Sequence, residues 1–329
     1  MLAALALLSG PALLAGCGGG GADPADGGSS TPVLPSTANP FAAGDLYADP
    51  GSRTAQAAAE AESGGDADRT RVFTRLAETP SGIWLTPEQY PPQQVGAFVA
   101  GVVTAAEQAG QVPLFVVYGI PDRDCTGGFS SGGLTDRQYG PWVQEIATAL
   151  ADGPRAPVVL EPDALASAVE CDRRAARVRQ VADALDRLRA AGAAVYVDGG
   201  HSHWVEPEAL AQLLREVGVD RARGFATNVA NYQSDEDERR YADQLSGLLG
   251  GVHYVIDTGR NGRGSTDQWC NPPGRAFGRE PEVVDDGTDL DAYLWVKPPG
   301  ESDGTCEGGP PAGQFWPERA LELAADSGW

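Results

Sequence analysis

The sequence predicts an α/β fold, a parallel β/α barrel with its cleft at the C-terminal ends of the strands. Three observations predict it. Short Val/Ile/Leu/Tyr runs alternate with helical stretches, the pattern of βαβ units and a parallel sheet. The runs are nearly continuously apolar, as strands buried on both faces are. They end in polar clusters, among them Pro121-Asp122-Arg123-Asp124-Cys125 and Glu161-Pro162-Asp163. A strand that stops at a carboxylate places it at the sheet edge where parallel α/β folds build their sites. No Gly-x-Gly-x-x-Gly follows the first run and no Walker-type loop occurs, which argues against a nucleotide fold.

The elements follow in order. Ala-rich sequence between Asn39 and Asp68 suits helix near the domain entrance. Strands are expected at Gly82–Leu85, Leu114–Ile120, Pro157–Leu160, Ala194–Val197, Gly224–Thr227, His253–Ile256 and Ala292–Val296. Amphipathic periodicity places helices at Gln93–Gln108, Thr135–Ala151, Ala164–Ala191 with an interruption near Cys171, Pro207–Val217, Asp235–Leu249 and Gln314–Ala325. At 329 residues the chain can bury one large core, assigned to residues 41–329 as a single domain.

Met1 to Gly16 is apolar apart from Ser9 and runs into Leu14-Ala15-Gly16-Cys17. Residues 1–17 look like a bacterial lipoprotein signal with Cys17 as the lipidated residue, although basic residues are missing; a plain secretory signal is the alternative. Residues 18–40, rich in Gly, Ser, Pro and Asp, are expected to be a flexible linker. One acyl anchor on such a tether would hold an exported protein at the outer face of the membrane. The remaining cysteines, Cys125, Cys171, Cys270 and Cys306, show no Cys-x-x-Cys spacing. Two disulfides suit an exported protein, and sequential connectivity, 125 with 171 and 270 with 306, closes the shortest loops. Forty-six acidic against 24 basic residues argue against nucleic acid or anionic lipid surfaces as partners.

Asp124 and Asp163 lie one βα unit apart and should stand at neighbouring strand ends, where one carboxyl can be kept protonated by burial and by the other's charge. Such a pair is what glycosidic bond hydrolysis needs; helix capping or pairing with Arg123 is the structural alternative. Asp198, His201 and Trp204 follow another strand and suit sugar binding, two hydrogen-bonding groups beside a flat apolar face. His201 and His203 do not make a convincing metal site, because no third His is near. Asn228 and Asn231 suit hydroxyl recognition or turn formation equally. Lys297, the only lysine, opens a Gly/Pro-shaped loop with Glu301 and Asp303. Trp84, Trp204 and Trp269 near strand ends suit stacking on pyranose rings. No Gly-x-Ser-x-Gly elbow occurs, so serine hydrolase chemistry is disfavoured.

Seven ordered segments, residues 116–125, 160–165, 196–204, 226–232, 256–262, 269–271 and 295–304, resemble glycoside hydrolase family 6, the inverting cellulases. The resemblance implies a distorted, seven-stranded β/α barrel that cleaves β-1,4-glucan with inversion. It implies that Asp163 is the general acid, Asp124 its assisting carboxylate and Asp303 the proposed base, with a water relay in that role. Tyr118 and Ser130 match residues shaping the reacting-sugar subsite. Lys297, Glu301, His201, Asp198 and Asn231 match sugar-binding positions, and Trp84, Trp204 and Trp269 match stacking platforms. The family's two disulfides agree with sequential pairing. Gly119 departs from the fungal pattern, which has Asp there. The loops Gly259–Gly278 and Pro298–Phe315 are short, which implies an open groove and internal cleavage of the chain. Chain-end attack, and an oligosaccharide-binding lipoprotein without turnover, are the alternatives. A monomer is expected, without metal or organic cofactor and without a separate carbohydrate-binding module.

Overall fold

The structure, a computed structural model, describes residues 38–125 and 128–329. The signal sequence with Cys17 and nearly all of the expected linker lie outside the described residues. The strands are β1 (Ile83–Leu85), β2 (Phe115–Val117), β3 (Pro157–Leu160), β4 (Ala194–Asp198), β5 (Gly224–Thr227), β6 (His253–Asp257), β7 (Glu282–Val283) and β8 (Leu290–Leu294). The helices are α1 (Arg53–Ser63), α2 (Ala67–Glu78), α3 (Val95–Ala109), α4 (Asp136–Leu150), α5 (Arg174–Ala190), α6 (Pro207–Val217), α7 (Asp235–Leu249) and α8 (Pro317–Asp326).

The sheet order is β1-β2-β3-β4-β5-β6-β8-β7. All pairings are parallel except the two-residue β7, which runs antiparallel along β8. Seven parallel strands therefore curl into the expected distorted barrel, and the exposed pair Glu282–Val283 is too short for its pattern to be legible. The curl brings β1 back to the end of β8, where the Gly82 N–H donates to the Trp295 carbonyl at 2.8 Å. The Trp84 indole N–H donates to the Val296 carbonyl at 2.9 Å. A side chain at Gly82 has no room, since its Cβ would lie 2.3 Å from the Val296 oxygen.

Alternation along the strands divides the core in two. Val116, Val159, Tyr196, Ala226, Val255 and Ala292 point into the barrel, where Phe41 stacks on Tyr196 at 5.8 Å. Phe115, Val117, Val158, Leu160, Val195 and Val197 point outward against α3 to α6, meeting Val99, Trp142, Leu185 and Leu214. Each such fully buried aliphatic side chain contributes about 1.5–3 kcal/mol. Helix ends follow local chemistry: Pro207 opens α6 and left-handed Gly218 closes it, while the Ser234 hydroxyl accepts the Asp237 N–H at the start of α7.

The stretch Ala164–Ala191 is interrupted near Cys171 as expected: a 3-10 turn at Ser167–Val169 precedes α5, and Cys171 between them is bonded to Cys125. Three features differ from the expectations. Strand β2 stops at Val117, because Gly119 and Ile120 give their N–H groups to the Glu161 carboxylate instead of to a neighbouring strand. Strand β8 lies two residues earlier than expected, leaving Trp295–Lys297 as a segment that reaches the cleft. Helix α2 was absent from the expected elements; its signals are Asp66 as N-cap and the apolar stripe Val72, Phe73 and Leu76, which packs with α8.

Candidate active site

Asp124 and Asp163 follow β2 and β3, which pair in register. Both adopt left-handed backbone, at φ 50° and 68°, as do Asp122 and Glu161 between the strand ends and these carboxyls. Non-glycine residues hold such conformations only where surroundings over-determine them. Here they do. Glu161 accepts the Gly119 N–H at 3.0 Å and the Ile120 N–H at 3.1 Å. The buried Arg177 of α5 donates to the Pro121 and Asp122 carbonyls at 2.6 and 2.5 Å. Arg123 donates to the carbonyls of Tyr118 and Ser130, each at 2.9 Å. The Cys125–Cys171 disulfide ties the same loop to the segment before α5. Gly119 also has a reason: its Cβ would lie 2.7 Å from the Trp142 ring, so this barrel has no room for the Asp of the fungal pattern.

Asp303 is held from several sides. Arg260 reaches both carboxylate oxygens at 2.9 Å, the Tyr232 hydroxyl donates at 3.1 Å, and the Asn271 N–H donates at 3.0 Å. The Asn271 side chain in turn accepts the Asp303 N–H at 2.8 Å, next to the Cys270–Cys306 disulfide that joins the two loops. Ser130 links the carboxylates: its N–H donates to Asp124 at 2.7 Å, and its hydroxyl donates to the Asp303 carbonyl at 3.3 Å.

The charges are unequal in consequence. Burial, then the neighbouring charges of Asp124 and Asp303, push the Asp163 carboxyl up to about 7. Asp198, 1% exposed, accepts the Asp163 N–H at 2.9 Å and the Gly200 N–H at 3.0 Å. Burial, followed by the Asp163 charge, raises it well above the carboxylate range. A carboxyl that remains protonated near neutrality, beside one clamped by an arginine, is a division of labour suited to acid–base chemistry.

These residues open on a cleft of about 740 Å³. Of the sequence-predicted residues, Trp84, Tyr118, Ser130, Asp163, Asn231, Trp269, Lys297, Glu301 and Asp303 line it, and Asp124 adjoins it through Ser130. Trp84 packs edge-on to Tyr118 at 5.2 Å, with the Lys297 ammonium 5.2 Å from its ring. Lys297 and Glu301 pair at 3.8 Å, and the buried Asp257 carboxylate accepts the Lys297 N–H at 3.0 Å. Trp269 is 45% exposed and meets Phe129, 43% exposed, edge-on at 5.7 Å. Three predicted residues fall elsewhere. Asp198 lies beneath Asp163 and supports its backbone. His201 and Trp204 pair at 5.6 Å outside that cleft, with the Trp204 indole N–H donating to Glu170 at 2.7 Å. Burial holds His201 down at about 4, hence neutral.

Sequence reasoning assigned no role to Glu161, Arg177, Arg260, Tyr232 or Asn271. Glu161, Tyr232, Arg260 and Asn271 stand inside the quoted motifs, so the signal was present; Arg177 lies mid-helix and has none.

A curled parallel barrel whose strand ends carry carboxylates in an aromatic-walled cleft is an arrangement of the glycoside hydrolase class. Residues 41–327 match the model of Glycosyl hydrolases family 6. The chain belongs to that family. It is 45% identical over 258 residues to endoglucanase A of Cellulomonas fimi, covering 78% of this chain and 57% of that protein. The chain thus spans little more than half the length of this relative. Endoglucanase 1 of a Streptomyces species is 40% identical over 79% of this chain and 73% of its own. The structure of the endoglucanase Cel6 from Mycobacterium tuberculosis, in complex with a methyl cellobiosyl-thio-cellobioside, superposes with a TM-score of 0.82 at 44% identity, covering 89% of this chain and all of that one.

Proposed function

We propose that this protein is an endo-β-1,4-glucanase that hydrolyses internal bonds of cellulose or related glucans with inversion. The single observation that carries the proposal is the protonatable Asp163, half-buried between Asp124 and Asp303 on the wall of an aromatic cleft. Asp163 donates its proton to the glycosidic oxygen. Water attacks the anomeric carbon from the opposite face, in a gap of roughly 6.5–9.5 Å between acid and base carboxyls in inverting enzymes. Asp303, already engaged by Arg260, Tyr232 and Asn271, holds negative charge and takes the water's proton through a second water. Asp124 stabilises positive charge at the reacting sugar and favours protonated Asp163. Trp84 and Trp269 stack on flanking glucosyl rings, and Lys297, Glu301 and Asn231 bind hydroxyls.

Endo cleavage is supported by the short loops Gly259–Gly278 and Pro298–Phe315, which the Cys270–Cys306 disulfide stitches to each other. The names of the bacterial relatives point the same way. Export, with lipidation at Cys17, completes the proposal; Cys17→Ala should move the protein from the membrane fraction to the soluble one.

The test follows viscosity and reducing ends during digestion of carboxymethylcellulose and mixed-linkage glucan. A steep viscosity drop per bond cut, absent in Asp163→Ala, is expected. Slow viscosity loss with cellobiose release would indicate chain-end attack. Binding of oligosaccharides without cleavage would make the protein a binding lipoprotein.

A further inference from the structure

The cleft does not end at Trp84. It continues along a wall contributed by the segment before α1, by α1 itself and by the loop after β1, with Asp49, Arg53, Gln56 and Gln89 among its lining residues. None of these belongs to the seven motifs. Arg53 donates to the Gln89 side-chain oxygen at 3.4 Å, and the Gln89 amide donates to the Tyr90 hydroxyl at 2.9 Å. Gln56 is anchored to the Gly51 carbonyl at 2.9 Å. Arg53 lies near enough to Glu301 to lower its carboxyl, after burial, which raises it, and Lys297, which lowers it more; the Asp163 carboxyl is raised by burial and then by Asp124 and Asp303. The wall is therefore on the Glu301 side of Trp84.

Its chemistry suits a neutral polyhydroxylated ligand. A guanidinium, two carboxamides and a carboxylate offer alternating donors and acceptors for vicinal hydroxyls. The charges of Asp49 and Arg53 oppose each other, and Glu88 on the same wall is paired with Arg123 at 2.9 Å. Leu76, Ala77 and Ile83, which also line the cleft, add apolar surface. Direction follows from Tyr118 and Ser130, at the reacting sugar. Trp84 packs against Tyr118, so what lies beyond Trp84 meets the glycone part of the chain.

We propose that this wall is an additional glucosyl-binding subsite, on the far side of Trp84 from the bond cleaved, with Arg53 and Gln89 as its specificity-determining residues. The proposal rests on the glucanase assignment and deepens it: a chain that runs on past Trp84 in this direction presents internal bonds to Asp163.

The test compares kcat/KM on cellohexaose and cellotetraose for the wild-type protein, Arg53→Ala and Gln89→Ala. A side chain that hydrogen-bonds one more sugar gives the longer substrate an advantage; losing the charged bond in Arg53→Ala reduces the hexaose-to-tetraose ratio about tenfold, and losing the neutral one in Gln89→Ala reduces it about threefold. The loss is expected in KM, in both variants, with the melting curve retained. An unchanged ratio in both variants overturns the subsite while leaving the glucanase assignment intact. If wild-type protein cleaves neither sugar, the assignment fails, and calorimetric binding decides the subsite. Hexaose binding more tightly than tetraose in wild type, with the difference lost in Arg53→Ala, supports it; equal affinities overturn it.

Discussion

Replacing Asp163 by Asn should stabilise the protein while abolishing its activity, and the gain should depend on pH. The Asp163 carboxyl rises from its ordinary 3.8 to about 7 in the fold, through burial first and then the charges of Asp124 and Asp303. Among the described residues no hydrogen-bond donor reaches its oxygens to offset this. At about 1.4 kcal/mol per pH unit, ionising it in the fold costs about 4 kcal/mol more than in the unfolded chain. The side chain keeps some contact with the cleft, and solvent screening there brings the expected figure to about 2–4 kcal/mol. The sign is set by the raised value. Below pH 3.8 the group is protonated in both states and costs nothing. The penalty grows as pH rises from about 4 to 7 and is constant above. Asp163→Asn removes it, so chemical denaturation at pH 8 should show the variant more stable by that amount, and melting about 4–8 °C higher for a domain of this size. At pH 4 the two proteins should unfold almost together. Equal stabilities at pH 8, or a difference that persists at pH 4, would refute the claim that a half-buried, protonatable acid stands at this position.

Other outcomes follow from the same geometry. The basic limb of the kcat/KM profile should fall with a midpoint near pH 7, since the proton donor is lost as Asp163 ionises, and Asp124→Asn should move that limb to lower pH by removing a negative neighbour; a pH titration of initial rates checks both. Arg260→Ala leaves the buried Asp303 without the guanidinium whose Nη1 meets both its oxygens and should cost about 3–5 kcal/mol of stability, measured by urea unfolding. Replacing Cys270 and Cys306 by Ser opens a link of 36 residues and should cost about 4 kcal/mol by chain entropy, read from the same unfolding curves. Gly119→Ala drives a methyl into Trp142 and should destabilise by about 1–3 kcal/mol, checked by thermal melting.

Most of the barrel was legible because its strands are apolar runs of fixed period and its helices carry caps. What escaped was decided by contacts between distant segments. Strand β2 is shorter than its apolar run because Glu161, 42 residues after Gly119, captures the backbone that would have extended it. In the site, the residue types facing the cleft could be named from strand ends. The groups that hold them could not: nothing local in Tyr232 or Asn271 announces that both reach Asp303. Asp198 reads as a sugar-binding strand-end carboxylate in sequence, yet it is buried and its Oδ2 accepts two backbone N–H groups beneath the acid. The wall beyond Trp84 was invisible for a related reason, since α1 reaches it only through the curl of the sheet.

The seam between β1 and β8 has a consequence for how the molecule comes apart. Neighbouring strands elsewhere share ladders of hydrogen bonds, but here, among the described residues, the Gly82 amide and the Trp84 indole make the links, and the apolar packing of α2 and α8 around Phe73, Leu76, Trp295 and Leu323 covers the join. Backbone ladders resist opening until whole elements separate, whereas a helix-covered seam opens by local undocking. Under mild denaturant the Gly82 amide should therefore exchange with deuterium earlier than those of β3 and β4. The first partly unfolded form is then a barrel sprung at the side where Trp84 stands, one that loses substrate affinity before it loses its sheet.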